Sequence, residues 1–347
     1  MKKILITGIS GFVGGHLCDY LISHEKYFDI HGISRSRPAW DFVDNLPEIL
    51  SRVHFHQADL TDIPRIHRLI REIKPDYIVH LASLSSVDES WKNPVASFVN
   101  NTNIFLNILD TVRHCNYPIK ILSVGSSEEY GIVREDDLPL SEDRALSPAN
   151  PYAVARVAQE NLARIYTEGY GLNICSTRSF NHCGPGQSPQ FVIGSITKQF
   201  ALIAHKKQNP VVTIGNGSIV RDFLDIRDVV SAYALILEQG KSGDVYNVCS
   251  GRGIAVRDIV TMLSDMYCLP VSIKEEPVHF RPIDNPRIIG TYQKIHKDLG
   301  WYPSISFEDS LRSICRYWSG IIRTYPYPPI FENYGSSDSV MNKHFRD

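Results

Sequence analysis

A chain of 347 residues with 21% charged side chains and a formal charge of −2 at neutral pH has no electrostatic footprint for nucleic acid or an anionic membrane, so small molecules are the expected partners. That length is enough for two unequal lobes with real cores, since compact domains usually hold about 100–200 residues. The seven cysteines, at positions 18, 115, 175, 183, 249, 268 and 315, are odd in number, scattered and without a CxxC pair, which argues against a disulfide framework or a metal site and fits a cytoplasmic setting.

The opening MKKILITGISGFVGGHL is basic and then apolar, but glycines interrupt the apolar run and no small-residue cleavage site follows cleanly. It reads as a buried first strand, KILIT, leading into a helix through His16–Ser23. No run of about 18 apolar residues follows anywhere, so no membrane span is expected. Between strand and helix stands TGISGFVG, with Gly8, Gly11 and Gly14. Glycines at this spacing let the chain turn tightly and let a pyrophosphate approach the helix N-terminus, where free N–H groups favour anions. An ordinary tight turn is the alternative; the strand before and the helix after favour a dinucleotide.

The second strand, FDIHGIS, is followed by Ser34, Arg35, Ser36 and Arg37 rather than by an acid that would bind the ribose hydroxyls of NAD. Arg35 and Arg37 could pair with a 2′-phosphate, which favours NADP(H) over NAD(H); two solvated loop arginines are the alternative. The third strand, VHFHQADL, ends on Asp59 and Leu60, where the carboxylate could accept from the adenine amino group or simply cap the strand end. A helix near Ile63–Ile73, the strand DYIVHLAS and a long helix through Pro94–Cys115 come next. The strand KILSVGSS then runs into VGSSEEYG, which sets Ser126, Ser127, Glu128 and Glu129 at the carboxyl edge of the sheet, where open α/β sheets bind ligands.

The stretch NPYAVAR signals a helix start, with Asn150 as N-cap and Pro151 at the first helical position, and Gly169 and Gly171 mark the stop. Tyr152 and Arg156 then share a face at i, i+4. A positive charge ~5 Å from a phenol, at an effective dielectric near ~20, stabilises the phenolate by ~3 kcal/mol. Arginine supplies that charge, but it is planar, larger than lysine and holds its proton firmly. An exposed helix pair of no consequence is the alternative. After the strand NICSTRSF the regular alternation ends; the whole pattern up to there reads as a Rossmann-type doubly wound parallel sheet of the α/β class. GPGQSP, a helix near Gly194–Lys206, IGNGSIVRDFLDIRDVV and DVYNVCSG suggest a smaller C-terminal substrate-binding lobe. The expected organisation is a cofactor domain at 1–180, a lobe at 181–320 with some segments returning to the first domain, and an aperiodic extension at 321–347.

Several motifs together carry a resemblance: the glycine triad, HLAS at 80–83, Ser126-Ser127-Glu128-x-Tyr130-Gly131, Tyr152-x-x-x-Arg156, RSFNHCGPGQ at 178–187, RDFLDIRDV at 221–229, RPIDNPRIIG at 281–290 and LGWYPSISFEDSL after it. In combination they resemble the extended short-chain dehydrogenases/reductases acting on nucleotide sugars, the NAD-dependent epimerase/dehydratase family, over roughly residues 3 to 319. Within it the chain is most similar to the GDP-mannose branch, through GSSEEYG, NHCGPGQ, RDFLDIRDV and GDVYNVCSG. The departure is Arg156, where the family carries lysine.

The resemblance implies that Ser126 hydrogen-bonds the sugar C4 oxygen, that Tyr152 is the acid or base on that oxygen, and that residue 156 holds the nicotinamide ribose and favours the ionised tyrosine. It implies cofactor contacts from Gly8, Gly11, Phe12, Val13 and Gly14, from Arg35, Asp59 and Leu60, and from Leu81, Ala82 and Ser83. Asn181, Arg221 and Arg281 would hold the diphosphate and nucleoside, a role for which guanidinium suits phosphate. The implied reaction is NADPH-dependent reduction of the C4 keto group of a GDP-4-keto-6-deoxy sugar. The alternative is a 4,6-dehydratase with retained NADP, because Glu128 stands where dehydratases keep the base for the C5 proton, although reductase-like chains also have Glu there. An alternative of another class is a non-catalytic NADP-binding protein. A homodimer is also implied, bundled through the helices at 94–115 and 151–168, with Ala153, Val157 and Leu162 divided between core and interface.

Overall fold

A computed structural model describes residues 1–24, 28–43, 46–276 and 285–324. In chain order the first part comprises β1 (Lys2–Thr7), α1 (Phe12–Ser23), β2 (Phe28–Ser34), α2 (Leu46–Arg52), β3 (Val53–Gln57), α3 (Ile63–Ile73) and β4 (Tyr77–His80). It continues through α4 (Val87–Lys92), α5 (Pro94–Phe98), α6 (Ile104–Val112), β5 (Lys120–Ser126), α7 (Pro151–Tyr170) and β6 (Asn173–Ser179). The later part holds β7 (Asn181–Cys183), α8 (Val192–Ala204), β8 (Val211–Ile214), β9 (Val220–Asp225), α9 (Ile226–Gln239), β10 (Val245–Val248) and β11 (Gly253–Ala255). It closes with α10 (Val256–Tyr267), β12 (Ser272–Glu275), β13 (Arg287–Ile288), α11 (Gln293–Leu299) and α12 (Phe307–Thr324).

Alternation along β1 explains the doubly wound sheet. Ile4 and Ile6 point to one face and join Leu17 and Leu21 of α1 with Val229 and Tyr233 of α9. Leu5 points to the other and joins Ile66 and Ile70 of α3 with Phe105 and Ile108 of α6. With both faces covered, a parallel sheet of continuous apolar runs is the stable solution. The strand order is β10-β6-β5-β4-β1-β2-β3, with every neighbouring pair parallel. Order reverses between β1 and β4, which opens a crevice at their carboxyl ends. Strand β10 arrives from the later part of the chain and pairs with β6, Val245 opposite Ser176.

The second lobe is built on β9, which pairs with β7 and β13 in parallel and with β11 antiparallel, beside the parallel pair β8 and β12. Helices α8, α10 and α12 enclose its core through Ile196, Phe200, Ile259, Leu263, Leu311 and Trp318.

Two helices position the site. Helix α7 begins as its sequence signals: Asn150 Oδ1 accepts from the Ala153 N–H at 2.8 Å, and Pro151 is the first residue. It ends at Gly171, whose φ of 71° is left-handed and whose N–H closes on the Thr167 carbonyl at 3.0 Å. The expected single helix over 94–115 is instead α5 and α6 joined by a π-helical turn, Val99–Asn103. Within that turn the Asn101 amide exchanges hydrogen bonds with the Leu84 backbone, and the Thr102 hydroxyl donates to the Ala155 carbonyl of α7. These long-range anchors explain why the extra residue is kept where propensity alone would continue an α-helix.

Candidate active site

The cofactor cradle is defined by what cannot fit there. A Cβ on Gly8, whose φ is +69°, would meet the Ala82 Cα at 2.7 Å, and one on Gly14 would meet the Ile9 carbonyl oxygen at 2.2 Å. Gly11 is the N-cap of α1 in extended conformation and offers no side-chain cap, so the first-turn N–H groups are left for an anion. Ala82 and Leu81 are held against this turn by their N–H groups on Thr7, at 3.3 Å to its Oγ1 and 3.2 Å to its carbonyl. Phe12 lies parallel to the His182 ring at 6.2 Å, which ties the cradle to the second lobe; Val13 packs against the first core.

Arg35 and Arg37 are exposed directly after β2. Asp59 turns one carboxylate oxygen to the Thr61 N–H and hydroxyl, at 2.8 and 2.7 Å. Those bonds, with Arg35 nearby, hold its carboxyl below the usual range. Leu60 is a core residue whose carbonyl accepts from Asn107 at 3.0 Å. Glycine cradle, open helix N-terminus and paired arginines fit a dinucleotide with an extra phosphate.

Around Tyr152 the structure assembles a buried polar corner. Tyr152 and Arg156 are 6% and 4% exposed, and the guanidinium lies 5.1 Å from the phenol ring centroid. Arg156 Nη1 donates to the Val124 carbonyl at 3.1 Å and to Gln159 Oε1 at 2.6 Å, while Nη2 donates to Ser83 Oγ. Gln159 in turn donates to Ser123 Oγ at 2.8 Å. Arg156 therefore bridges the ends of β4 and β5. His80, buried beside it and bonded to Thr7 Oγ1 at 2.9 Å, is driven down to about 3 by burial and by the guanidinium; it stays neutral.

Ser126 ends β5. Its Oγ accepts from the Glu128 N–H at 3.2 Å and its N–H donates to Glu129 Oε1 at 2.6 Å. Burial and the neighbouring Glu160 push the Glu129 carboxyl well above its ordinary value. Glu160 makes a two-pronged pair with Arg178, at 2.9 and 2.8 Å. Glu128 Oε2 accepts from Asn150 Nδ2 at 2.9 Å, so the residue that caps α7 also holds Glu128. Glu129 stands at the sheet edge where the sequence places it, whereas Gln159 and Asn150 are supports of this corner that the sequence does not assign to it. The polar i+3 neighbour of Arg156 and the paired carboxylates of SSEE were the available signals.

The second lobe offers less. Asn181 begins β7 and is exposed. Arg221 is buried on β9, its Nη1 donating to the carbonyls of Val220 and Asn285 at 2.9 and 2.8 Å. Asn285 also accepts from the Val133 N–H and donates to the Gly131 carbonyl, at 3.0 and 2.7 Å, which ties the turn after β5 to the strand-β13 end of the chain. Arg281 lies outside the described residues. Most of RDFLDIRDV is scaffold: Asp222 accepts from Ser250, Gly251 and Gly290, Asp225 caps α9, and Asp228 accepts from Ser304 and Ile305.

Comparison with known proteins agrees with this geometry. The family model for GDP-mannose 4,6-dehydratase matches residues 5–314. The GDP-6-deoxy-D-mannose reductase of Pseudomonas aeruginosa is 32% identical over 322 residues, 93% of this chain and 99% of the reductase. A GDP-mannose 4,6-dehydratase of Yersinia enterocolitica is 29% identical, covering 89% of this chain and 91% of its own length. Among solved structures, RMD from Pseudomonas aeruginosa complexed with NADPH superposes with a TM-score of 0.80 at 31% identity, over 92% of this chain and 99% of that one.

Proposed function

The chain belongs to the GDP-mannose 4,6-dehydratase family, and from that premise we propose that it is an NADPH-dependent reductase of a GDP-linked 4-keto-6-deoxy sugar. The observation that carries this reading is the buried corner of Ser126, Tyr152 and Arg156 at the carboxyl edge of β5, joined to the glycine turn through Ala82 and Ser83. The cradle residues Gly8, Gly11 and Gly14 would hold the pyrophosphate, and Arg35 with Arg37 the 2′-phosphate. When bound, NADPH supplies the hydrogen that reduces the C4 carbonyl. Ser126 Oγ donates to the carbonyl oxygen and orients it. Tyr152 delivers its phenolic proton to that oxygen as charge develops there. The Arg156 guanidinium, clamped by Gln159, Ser83 and the Val124 carbonyl, stabilises the phenolate left behind. Because arginine holds its proton, Tyr152 is recharged by another route, through solvent or the ribose hydroxyl.

A second reading, a 4,6-dehydratase, is favoured by one observation: Glu128, held by Asn150 next to Ser126, is a carboxylate in the right stretch to take the C5 proton. Incubating the protein with GDP-4-keto-6-deoxy-mannose and NADPH, and following nicotinamide absorbance, separates the two. The reductase consumes NADPH; no turnover with both ligands bound overturns it. A dehydratase instead converts GDP-mannose to a 4-keto product without net loss of NADPH.

We place the enzyme in the cytoplasm as a homodimer. Support for the dimer comes from apolar side chains left in solvent on α5 and α7: Val95 is 76% exposed, Val154 45% and Ile165 49%. Ala153 is fully buried in its own subunit, whereas Val157 and Leu162 are half-buried. Among the described residues no helix is long and apolar enough to cross a membrane. Light scattering should give twice the chain mass, and Val154→Arg should give the monomer.

A further inference from the structure

At the margin of the large sheet, four polar side chains occupy a face that is apolar further along the same strands. On β2, Asp29, His31 and Ile33 point the same way; on β3, His54 and His56 do, with His31 opposite His54 and Ile33 opposite His56 in the register. Ile33 belongs to the core under α3, so the strands change from a core face to a cluster of three imidazoles and one carboxylate within two residues. Nothing in the proposed reduction uses them.

His31 and His54 each face a different oxygen of the same carboxylate. His31 Nε2 is 3.3 Å from Asp29 Oδ2, and His54 Nε2 is 3.2 Å from Asp29 Oδ1. One ligand atom from each residue can be chosen so that all lie within 4.8 Å of one another. A tetrahedral zinc ion with nitrogen and oxygen ligands at about 2.0–2.1 Å has ligand–ligand edges of about 3.3 Å. His31 Nε2 is buried and faces the Asp29 carboxylate. Its other nitrogen, Nδ1, is taken by His56 Nε2 at 3.0 Å. A ring nitrogen directed at the site with the opposite nitrogen hydrogen-bonded is the usual arrangement of a metal-bound imidazole. The His31 ring is further held between the His54 and His56 rings, at centroid distances of 4.8 and 5.3 Å.

We propose that Asp29, His31 and His54 form a binding site for a divalent transition-metal ion of the zinc class, with His56 as the residue that positions His31 and water completing the coordination. Two imidazoles and one carboxylate select such an ion over magnesium or calcium, which prefer all-oxygen shells. His54 is largely exposed, with 63% of its side chain in solvent, so the ion has a path of entry. It would cross-link β2 and β3 at one edge of the large sheet, three residues before Ser34.

The test is calorimetric titration of zinc chloride into the full chain after EDTA stripping and dialysis, with cobalt(II) absorption as a second readout of coordination. One ion per chain is expected, with magnesium giving no heat. His54→Asn changes an exposed side chain and leaves the fold intact; it should weaken zinc by more than about 100-fold, given that even outer-shell partners are worth about 10–100-fold. His56→Gln should cost about 10-fold, and His114→Asn, an exposed histidine elsewhere, should change nothing. If wild type takes up no zinc, if magnesium competes equally, or if Asp29→Asn and His54→Asn bind zinc as wild type does, the site is not there.

Discussion

Two buried polar regions of this molecule are built in opposite ways. In the RDFLDIRDV segment each buried carboxylate is saturated: Asp222 alone accepts from the Ser250 N–H and hydroxyl and from the N–H groups of Gly251 and Gly290. Around Tyr152 the accounts are left open, since Arg156 Nε and His80 Nε2 are buried without a hydrogen-bond partner. An unpartnered buried polar group costs roughly 1–3 kcal/mol, so one is expected where a ligand completes the set. The RDFLDIRDV motif is therefore largely scaffold, and the corner with unmet hydrogen-bonding capacity is where chemistry is expected.

Replacing groups in each region tests that contrast. The largest effect is expected at the open corner: Tyr152→Phe keeps the ring that faces Arg156 but removes the proton, and kcat should fall by about 10²–10⁴ while NADPH affinity holds. Wild-type turnover by this variant would break the comparison outright. Next comes Arg156→Ala, which removes the guanidinium 5.1 Å from the Tyr152 ring centroid; a charge at about that range from charge developing in the transition state is worth ~3 kcal/mol, about a hundredfold in rate if fully expressed. Arg156→Lys keeps the charge and should lose far less, although Gln159 and Ser83 then share one ammonium instead of a planar fork. Equal rates and equal NADPH affinities for Arg156→Ala and wild type would remove Arg156 from the site.

On the saturated side the expected change is in stability rather than rate. Burial raises the Asp222 carboxyl from 3.8 to about 6. Its folded value lies above its unfolded one, so its contribution is complete below about 3.8 and is lost as pH rises through about 6. Over that window wild type should lose roughly 3 kcal/mol that Asp222→Asn does not lose, measured by urea unfolding at several pH values. Parallel pH profiles for the two proteins would show that Asp222 is not held as the burial implies. The smallest effect belongs to Asn150, which stands between the regions as cap and as partner of Glu128. Asn150→Ala should cost about 1 kcal/mol in stability and leave reduction nearly intact, whereas a dehydratase would lose activity with the hold on Glu128.

Local signals read correctly from the chain are those whose cause lies within a few residues. FDIHGIS is β2 and Ile63–Ile73 is α3 to the residue, and Asn150, Pro151 and Gly171 bound α7 where their dihedral preferences require. The glycine triad likewise announces its turn because only glycine fits the close approach to Ala82 and Ile9. The short helices α2 and α4 and the π-helical turn were not legible, since two turns of helix carry little periodicity and the turn is kept by Leu84 and Ala155. Family likeness supplied Ser126, Tyr152 and Arg156 as a set, yet their supports come from far away in sequence. Ser83 reaches Arg156 across 73 positions and Asn285 reaches Gly131 across 154. The Asp29, His31 and His54 cluster is hidden in the chain for the same reason: Asp29 and His31 share a face of β2, and His54 joins them only through the register with β3.

The sequence by itself determined the class of fold, the glycine turn, the start and end of α7 and the tyrosine–arginine face, because each follows from backbone sterics, capping and periodicity over one element. Only the tertiary structure decided which polar groups are satisfied and which are left open, what clamps Arg156, and how the second lobe pairs its short strands. Those outcomes depend on which side chains packing brings within hydrogen-bonding distance, and that is set by the sheet order and the burial of both its faces rather than by any neighbour in the chain.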